Sequence, residues 1–175
     1  MKNPLDAKSP DDLISFWKAI RKELISFIDA LSEQQFNSRD LPGWNASEIC
    51  EHVYLTQFSI ARIIPVILKG KFGEDTSKKP DADYNEIIKA FSAPTGVQNP
   101  ESVTPLSNYG RDECKEKLAF SMSKLEKSLE KTSIPAMKLR GYQHPFLGEL
   151  NLVEAVWSLA LHEQMHLQAL VNKLK

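Results

Sequence analysis

Apolar residues recur at spacings of three and four along much of the chain. Leu13, Phe16, Trp17, Ile20, Leu24, Phe27, Ile28 and Leu31 form one stripe, which predicts a long amphipathic helix. Ser9-Pro10-Asp11-Asp12 supplies its start: a serine N-cap, a proline whose missing N–H is harmless in a first turn, and acidic residues near the positive end of the helix dipole. A short turn from Ser32 to Phe36 and the breaker Leu41-Pro42-Gly43 follow. Asn45 and Glu48 then have the spacing of a capping box ahead of Ile49, Val53, Thr56, Ile60, Ile63 and Ile67. A second helix is predicted from about Ala46 to Lys69, bent near Pro65, which removes a hydrogen bond and crowds the preceding turn.

The helical period fails from Gly70 to Gly110. Pro80, Pro94, Pro100 and Pro105 interrupt this stretch, and only Tyr84, Ile87, Ile88 and Phe91 keep helical spacing, so it reads as a long crossover. A third helix, about Arg111 to Lys131, carries Cys114, Leu118, Met122, Leu125 and Leu129 on one face and Lys and Glu on the other, as a surface helix should. Thr132 to Leu150, with Pro135, Gly141, Pro145 and Gly148, reads as a second substantial loop. Asn151 with Glu154 repeats the capping-box spacing and opens a last helix that reaches the C-terminus. No repeat, low-complexity tract or strand pattern is evident. The expected fold is all-α, a four-helix bundle in one domain over residues 1–175, with 1–9 as a loosely ordered N-terminus. The long crossover between the second and third helices permits them to lie parallel.

Composition narrows the function classes. A chain of 175 residues, 42% hydrophobic and 26% charged, can bury one good core and is short for two ordinary domains. Lys and Arg number 22 against 23 Asp and Glu, a formal charge of -1, so nothing asks for nucleic acid, an anionic membrane or an acidic partner. The start, MKNPLDAKSPDD, lacks the apolar centre of a signal peptide, and no apolar run nears the ~20 residues that span a bilayer. A cytoplasmic protein is expected. Cys50 and Cys114 are the two cysteines, without C-x-x-C spacing; they read as core thiols rather than a disulfide framework, thiolate cluster or redox motif.

Of four histidines, three fall inside predicted long helices: His52 in the second, His162 and His166 in the last. At ~100° per residue, His162 and His166 lie one turn apart on one face and can converge on one ion. The last helix is apolar around most of its circumference, and His52 shares its face with Ile49, Thr56, Ile63 and Ile67. All three imidazoles therefore point toward packed or cleft surface. Metal sites in bundles are built from such inward side chains on different helices, and three imidazoles leave a first-row ion with open positions. The competing reading is three core histidines, each with one hydrogen bond. His144, before Pro145, reads as a loop anchor or pocket rim.

Glu163 occupies the middle of the stripe Leu152, Val156, Leu159, Leu167, Leu170 and Leu174, where a leucine belongs. A buried carboxylate needs a cation, a metal-bound water or strong donors to offset its lost hydration. It is either a general acid or base beside the ion or half of a structural ion pair. Glu48, one turn before His52, could orient that imidazole, although its capping role explains it more simply. His162-Glu163-Gln164-Met165-His166 also matches H-E-x-x-H of zinc peptidases, but Ala169 stands where the extended motif has glycine, and the chain ends nine residues after His166.

Gly43-Trp44-Asn45-Ala46-Ser47-Glu48-Ile49-Cys50-Glu51-His52, the loop His144-Pro145-Phe146-Leu147-Gly148, and Trp157 followed by His162-x-x-x-His166-x-Gln168 together resemble the DinB-like, or YfiT-like, superfamily of metalloprotein four-helix bundles. The resemblance spans nearly the whole chain. It implies up-down-down-up connectivity, with His52, His162 and His166 matching the family's three ligands for one divalent ion, usually zinc, nickel or iron. It further implies a metal-dependent hydrolase or a transferase using low-molecular-weight thiols, acting on a small-molecule substrate; the helical position of Glu163, not the resemblance, makes it the candidate proton-transfer group. The rival is a non-catalytic metal-binding or stress-related bundle in which the ion staples helices. An exposed apolar helix face would suit a homodimer.

Overall fold

A computed structural model describes residues 6–39, 43–92, 100–145 and 147–174. In chain order the elements are α1 (Pro10–Ala30), α2 (Glu33–Asn37), α3 (Ala46–Leu68), β1 (Glu74–Asp75), α4 (Tyr84–Ala90), α5 (Arg111–Leu129), α6 (Ile134–Lys138), β2 (Arg140–His144), β3 (Gly148–Asn151) and α7 (Leu152–Leu174). A 3₁₀ turn, Glu101–Val103, lies between α4 and α5. The four predicted helices are α1, α3, α5 and α7, and α4 sits where the crossover showed its one helical signal. None of the described helices is long and apolar enough to cross a membrane.

The starts follow the local chemistry. Ser9 caps α1 and Asp12 returns the bond to the Ser9 backbone; Asn45 and Glu48 do the same for α3, as do Asn151 and Glu154 for α7. Each such pair satisfies N–H groups that a helix start leaves orphaned. Of residues 1–9, those at 1–5 lie outside the described residues, while the Lys8 and Ser9 N–H groups bond the Asp12 carboxylate. Of the breaker, Leu41 and Pro42 lie outside the described residues; Gly43 has φ 82°, a conformation glycine adopts without steric cost. The α3 helix continues through Pro65.

Two halves of the core define the helix directions. At one end Leu13 and Trp17 of α1 pack with Ile64 and Ile67 of α3, Leu125 and Leu129 of α5, and Leu152 and Val156 of α7. At the other, Leu24 and Ile28 meet Ile49 and Cys50, Cys114 and Leu118, and Leu167 and Leu170. Early α1 thus meets late α3, late α5 and early α7, which is the up-down-down-up order. Each fully buried leucine or isoleucine contributes roughly 1.5–3 kcal/mol.

The strand-free expectation is corrected. β1 pairs antiparallel with β2, and β2 with β3, in a small sheet, and the presumed second loop also contains α6. Strands of two, five and four residues are too short to show alternation, and Gly141 imitates turn punctuation. Gly141 is in fact required by close approach, since a Cβ there would collide with the Leu150 carbonyl. The sheet fastens the crossover to the hairpin before α7. The Glu154 carboxylate adds to this by accepting from Lys79 Nζ and the Ala82 N–H, while Glu51 accepts from the Ser107 N–H at 2.8 Å. The described parts of the crossover are thereby laid across one flank of the bundle, over α3 and α7.

Candidate metal centre

His52 lies two turns into α3 and is 1% exposed. Its Nδ1 is 2.8 Å from the Val103 carbonyl in the 3₁₀ turn. A carbonyl only accepts, so Nδ1 carries the proton and the Nε2 lone pair is bare. A bond of this kind commonly fixes the tautomer of a ligating histidine. His162 and His166, one turn apart on α7, are half-buried and meet His52 across the α3–α7 groove.

The three rings converge through Nε2. His162 Nε2 is 3.1 Å from His52 Nε2 and 3.1 Å from His166 Nε2, and one ligand atom from each residue falls within 4.8 Å of the others. One proton at His162 Nε2 or on a facing nitrogen can satisfy only one of these two contacts, which leaves the other without a hydrogen bond. A shared cation removes that conflict. Nitrogens about 2.0–2.1 Å from one ion, at angles of roughly 90–110°, stand about 2.8–3.4 Å apart, so the two spacings from His162 fit.

The electrostatics agree with a neutral donor set. Burial drives the His162 pKa well below the ordinary histidine value, with His166, His52 and His144 adding repulsion. Burial and then His52 push His166 down to about 3. His52 is lowered by burial, opposed by its bond to Val103. Near neutral pH these rings offer lone pairs without first shedding protons. Trp44 packs its ring 4.8 Å from that of His52 and 6.4 Å from that of His166, and Phe91 stands edge-on to His162 at 6.3 Å. Behind His52 and His162 lies a cavity of about 250 Å³, whose wall includes Thr56, Phe91, Tyr142, His144 and Leu159.

The other candidates fall elsewhere. Glu163 is fully buried but is not gathered with the histidines. Arg21 Nε and NH2 donate to its two oxygens at 2.6 and 2.8 Å, and Trp17 Nε1 donates at 2.5 Å. Arg21 continues to the Leu118 carbonyl and to Gln57 Oε1, so this cluster joins all four long helices. Glu48 spends its oxygens on the Asn45 N–H and Arg39, which is the capping role. His144 ends β2 on the cavity wall and accepts from the Leu147 N–H at 3.3 Å. Sequence reasoning did not find Arg21, Trp17 or Val103. Arg21 had a signal, since it interrupts the α1 stripe between Trp17 and Leu24 as Glu163 interrupts that of α7; the Val103 carbonyl had none.

A helical bundle with three imidazoles converging from two helices defines the class. The sequence profile of the DinB superfamily matches residues 16–170, and the chain belongs to that superfamily. Its fold is similar to that of a solved four-helix bundle protein, TT2238, with a TM-score of 0.61 and 20% identity over 92% of this chain and 96% of that one. No curated protein matches the chain.

Proposed function

We propose that the protein is a metal-dependent enzyme of the DinB type, a hydrolase or low-molecular-weight-thiol transferase, in which His52, His162 and His166 hold one divalent ion. Zinc, nickel and iron all suit three imidazole nitrogens. The observation that carries this reading is the 3.1 Å convergence of neutral Nε2 atoms at the wall of a cavity. A staple needs no such space beside it, whereas a reacting site does. When bound, the ion would supply Lewis acidity for water or for a small thiol.

The chain's own residues set the conditions. Val103 holds the His52 tautomer, Trp44 and Phe91 restrict water around the rings, and His162 and His166 are presented one turn apart by a rigid helix. Glu163 is assigned a structural role, because its oxygens are already engaged by Arg21 and Trp17. The test is elemental analysis of protein purified without added metal, then screens with small thiols and esters. One equivalent of metal, lost in His162→Ala together with any turnover, is the expected result. Metal retained in that variant, or a coordination sphere closed to exchangeable water, would refute the reading.

A further inference from the structure

The segment that leads into α5 is gripped by α3 in a regular order. His52 Nδ1–H donates to the Val103 carbonyl at 2.8 Å. The Glu51 carboxylate accepts from the Ser107 N–H at 2.8 and 3.1 Å, and Ser47 Oγ donates to the Tyr109 carbonyl at 2.6 Å. Going from His52 to Glu51 to Ser47 along α3 goes from Val103 to Ser107 to Tyr109 along the segment, so the two run antiparallel. All three side chains on α3 are buried, and Ser47 and Glu51 stand one turn apart on one face.

Other hydrogen bonds near Val103 are local. The Val103 and Thr104 N–H groups bond the Pro100 and Glu101 carbonyls, and Thr104 Oγ1 returns to Pro100. These bonds shape the 3₁₀ turn without fixing it to the bundle. Burial of Val103 and Pro105 sets the depth of the segment but not the direction of the Val103 carbonyl. Direction is what His52 needs, because a carbonyl accepts best near the plane of its lone pairs. Among the described residues the Ser107 N–H is the one hydrogen-bond donor to Glu51, and no Lys or Arg pairs with it. A carboxyl group buried on so little is costly, and a leucine there would avoid the cost. Its presence points to placement rather than to stability.

We propose that Glu51, assisted by Ser47, is a positioning residue of the metal centre. By gripping Ser107 and Tyr109 it keeps the segment in register, so that the Val103 carbonyl holds the proton on His52 Nδ1 and leaves Nε2 bare toward His162. The inference rests on the reading of His52 as a ligand and adds to it the residues that prepare that ligand. Without the grip the carbonyl turns away, His52 samples the tautomer protonated on Nε2, and only the remaining fraction is competent to bind an ion.

The test starts with the metal-free full chain, using long-range 1H–15N NMR correlations that distinguish the protonated from the bare ring nitrogen of His52. Glu51→Leu, which buries no new polar group, should give a mixture of tautomers and speed exchange of the Nδ1 proton roughly tenfold or more, with core amides of α1 unaffected. Glu51→Gln keeps an oxygen acceptor at the same reach and should hold His52 close to the wild type. Ser47→Ala should act as Glu51→Leu does, more weakly. Cobalt should then bind Glu51→Leu roughly fivefold more weakly than the wild type, less than the ~10–100-fold lost with a direct partner of a ligand. A wild-type tautomer and exchange rate in Glu51→Leu would overturn the proposal. So would a Glu51→Gln chain that behaves like Glu51→Leu, or equal acceleration in the α1 amides, which would mark general loosening. If the wild-type chain takes up no cobalt, the ligand reading fails by itself, and the tautomer measurement, which uses no metal, still decides whether Glu51 positions His52.

Discussion

Helix α7 contributes to two polar clusters inside the bundle, and they are built on opposite principles. Around Glu163 the cluster is closed: its carboxylate takes three N–H bonds from Arg21 and Trp17, and the guanidinium reaches on to Leu118 and Gln57. Around His162 the cluster is open, since its two Nε2 contacts cannot both be hydrogen bonds and a cavity begins behind the rings. Residues 162 and 163 are neighbours in sequence, but a rotation of ~100° turns them toward different helices, His162 to α3 and Glu163 to α1. A buried polar group that has found its partners speaks of architecture; one whose strongest acceptors converge on each other speaks of a ligand.

Breaking the closed cluster should have the largest effect. Arg21→Met leaves the Glu163 carboxylate buried without its cation, and chemical denaturation should show a loss of about 3–5 kcal/mol. Adding Glu163→Leu to that change should recover much of the loss, because no lone charge is then left inside. Glu163→Gln alone should cost stability while leaving metal affinity within a factor of a few. Metal affinity that collapses in Glu163→Gln, in protein that is still folded, would erase the distinction between the clusters.

The open cluster should respond to metal rather than to packing. An ion present at 100 times its dissociation constant adds about 2.7 kcal/mol to the folded state, so chelation should lower the melting temperature by that equivalent. The metal-free chain should stay folded, since two continuous core halves hold the helices without the site. His162→Ala should abolish the response to chelator. Complete unfolding on chelation would mean that the ion, and not the apolar stripes, carries the bundle.

The two clusters also differ in how visible they were. Helical stripes and capping pairs are local, so α1, α3, α5 and α7 could be read with their starts, and a histidine pair one turn apart on an apolar face is likewise local. Glu163 stood out as a carboxylate in a leucine position, yet its partner depends on which helix lies alongside, and that is a property of the topology. Val103 acts through a carbonyl that every residue possesses, so nothing in its side chain marks it. The sheet was hidden for a further reason: Glu74 pairs with Gly141, far along the chain, through strands too short to have a period.

The smallest expected effect is a proton count, and it concerns the rim of the open cluster. Burial lowers His144 to about 4, below the ~6.5 of an unfolded histidine. Between those values the unfolded chain holds a proton that the folded chain lacks. Unfolding therefore takes up protons, and the stability of the metal-free protein must fall as pH drops below about 6.5. His166, pushed to about 3, acts in the same direction, so the wild-type slope contains several histidines. His144→Gln should remove about one proton from the uptake near pH 5, measured from the pH dependence of the unfolding free energy, and should leave the responses to chelator and to Arg21→Met in place. An unchanged slope would show that His144 is protonated in the folded state at that pH, and that the cavity wall is wetter than its apolar lining implies.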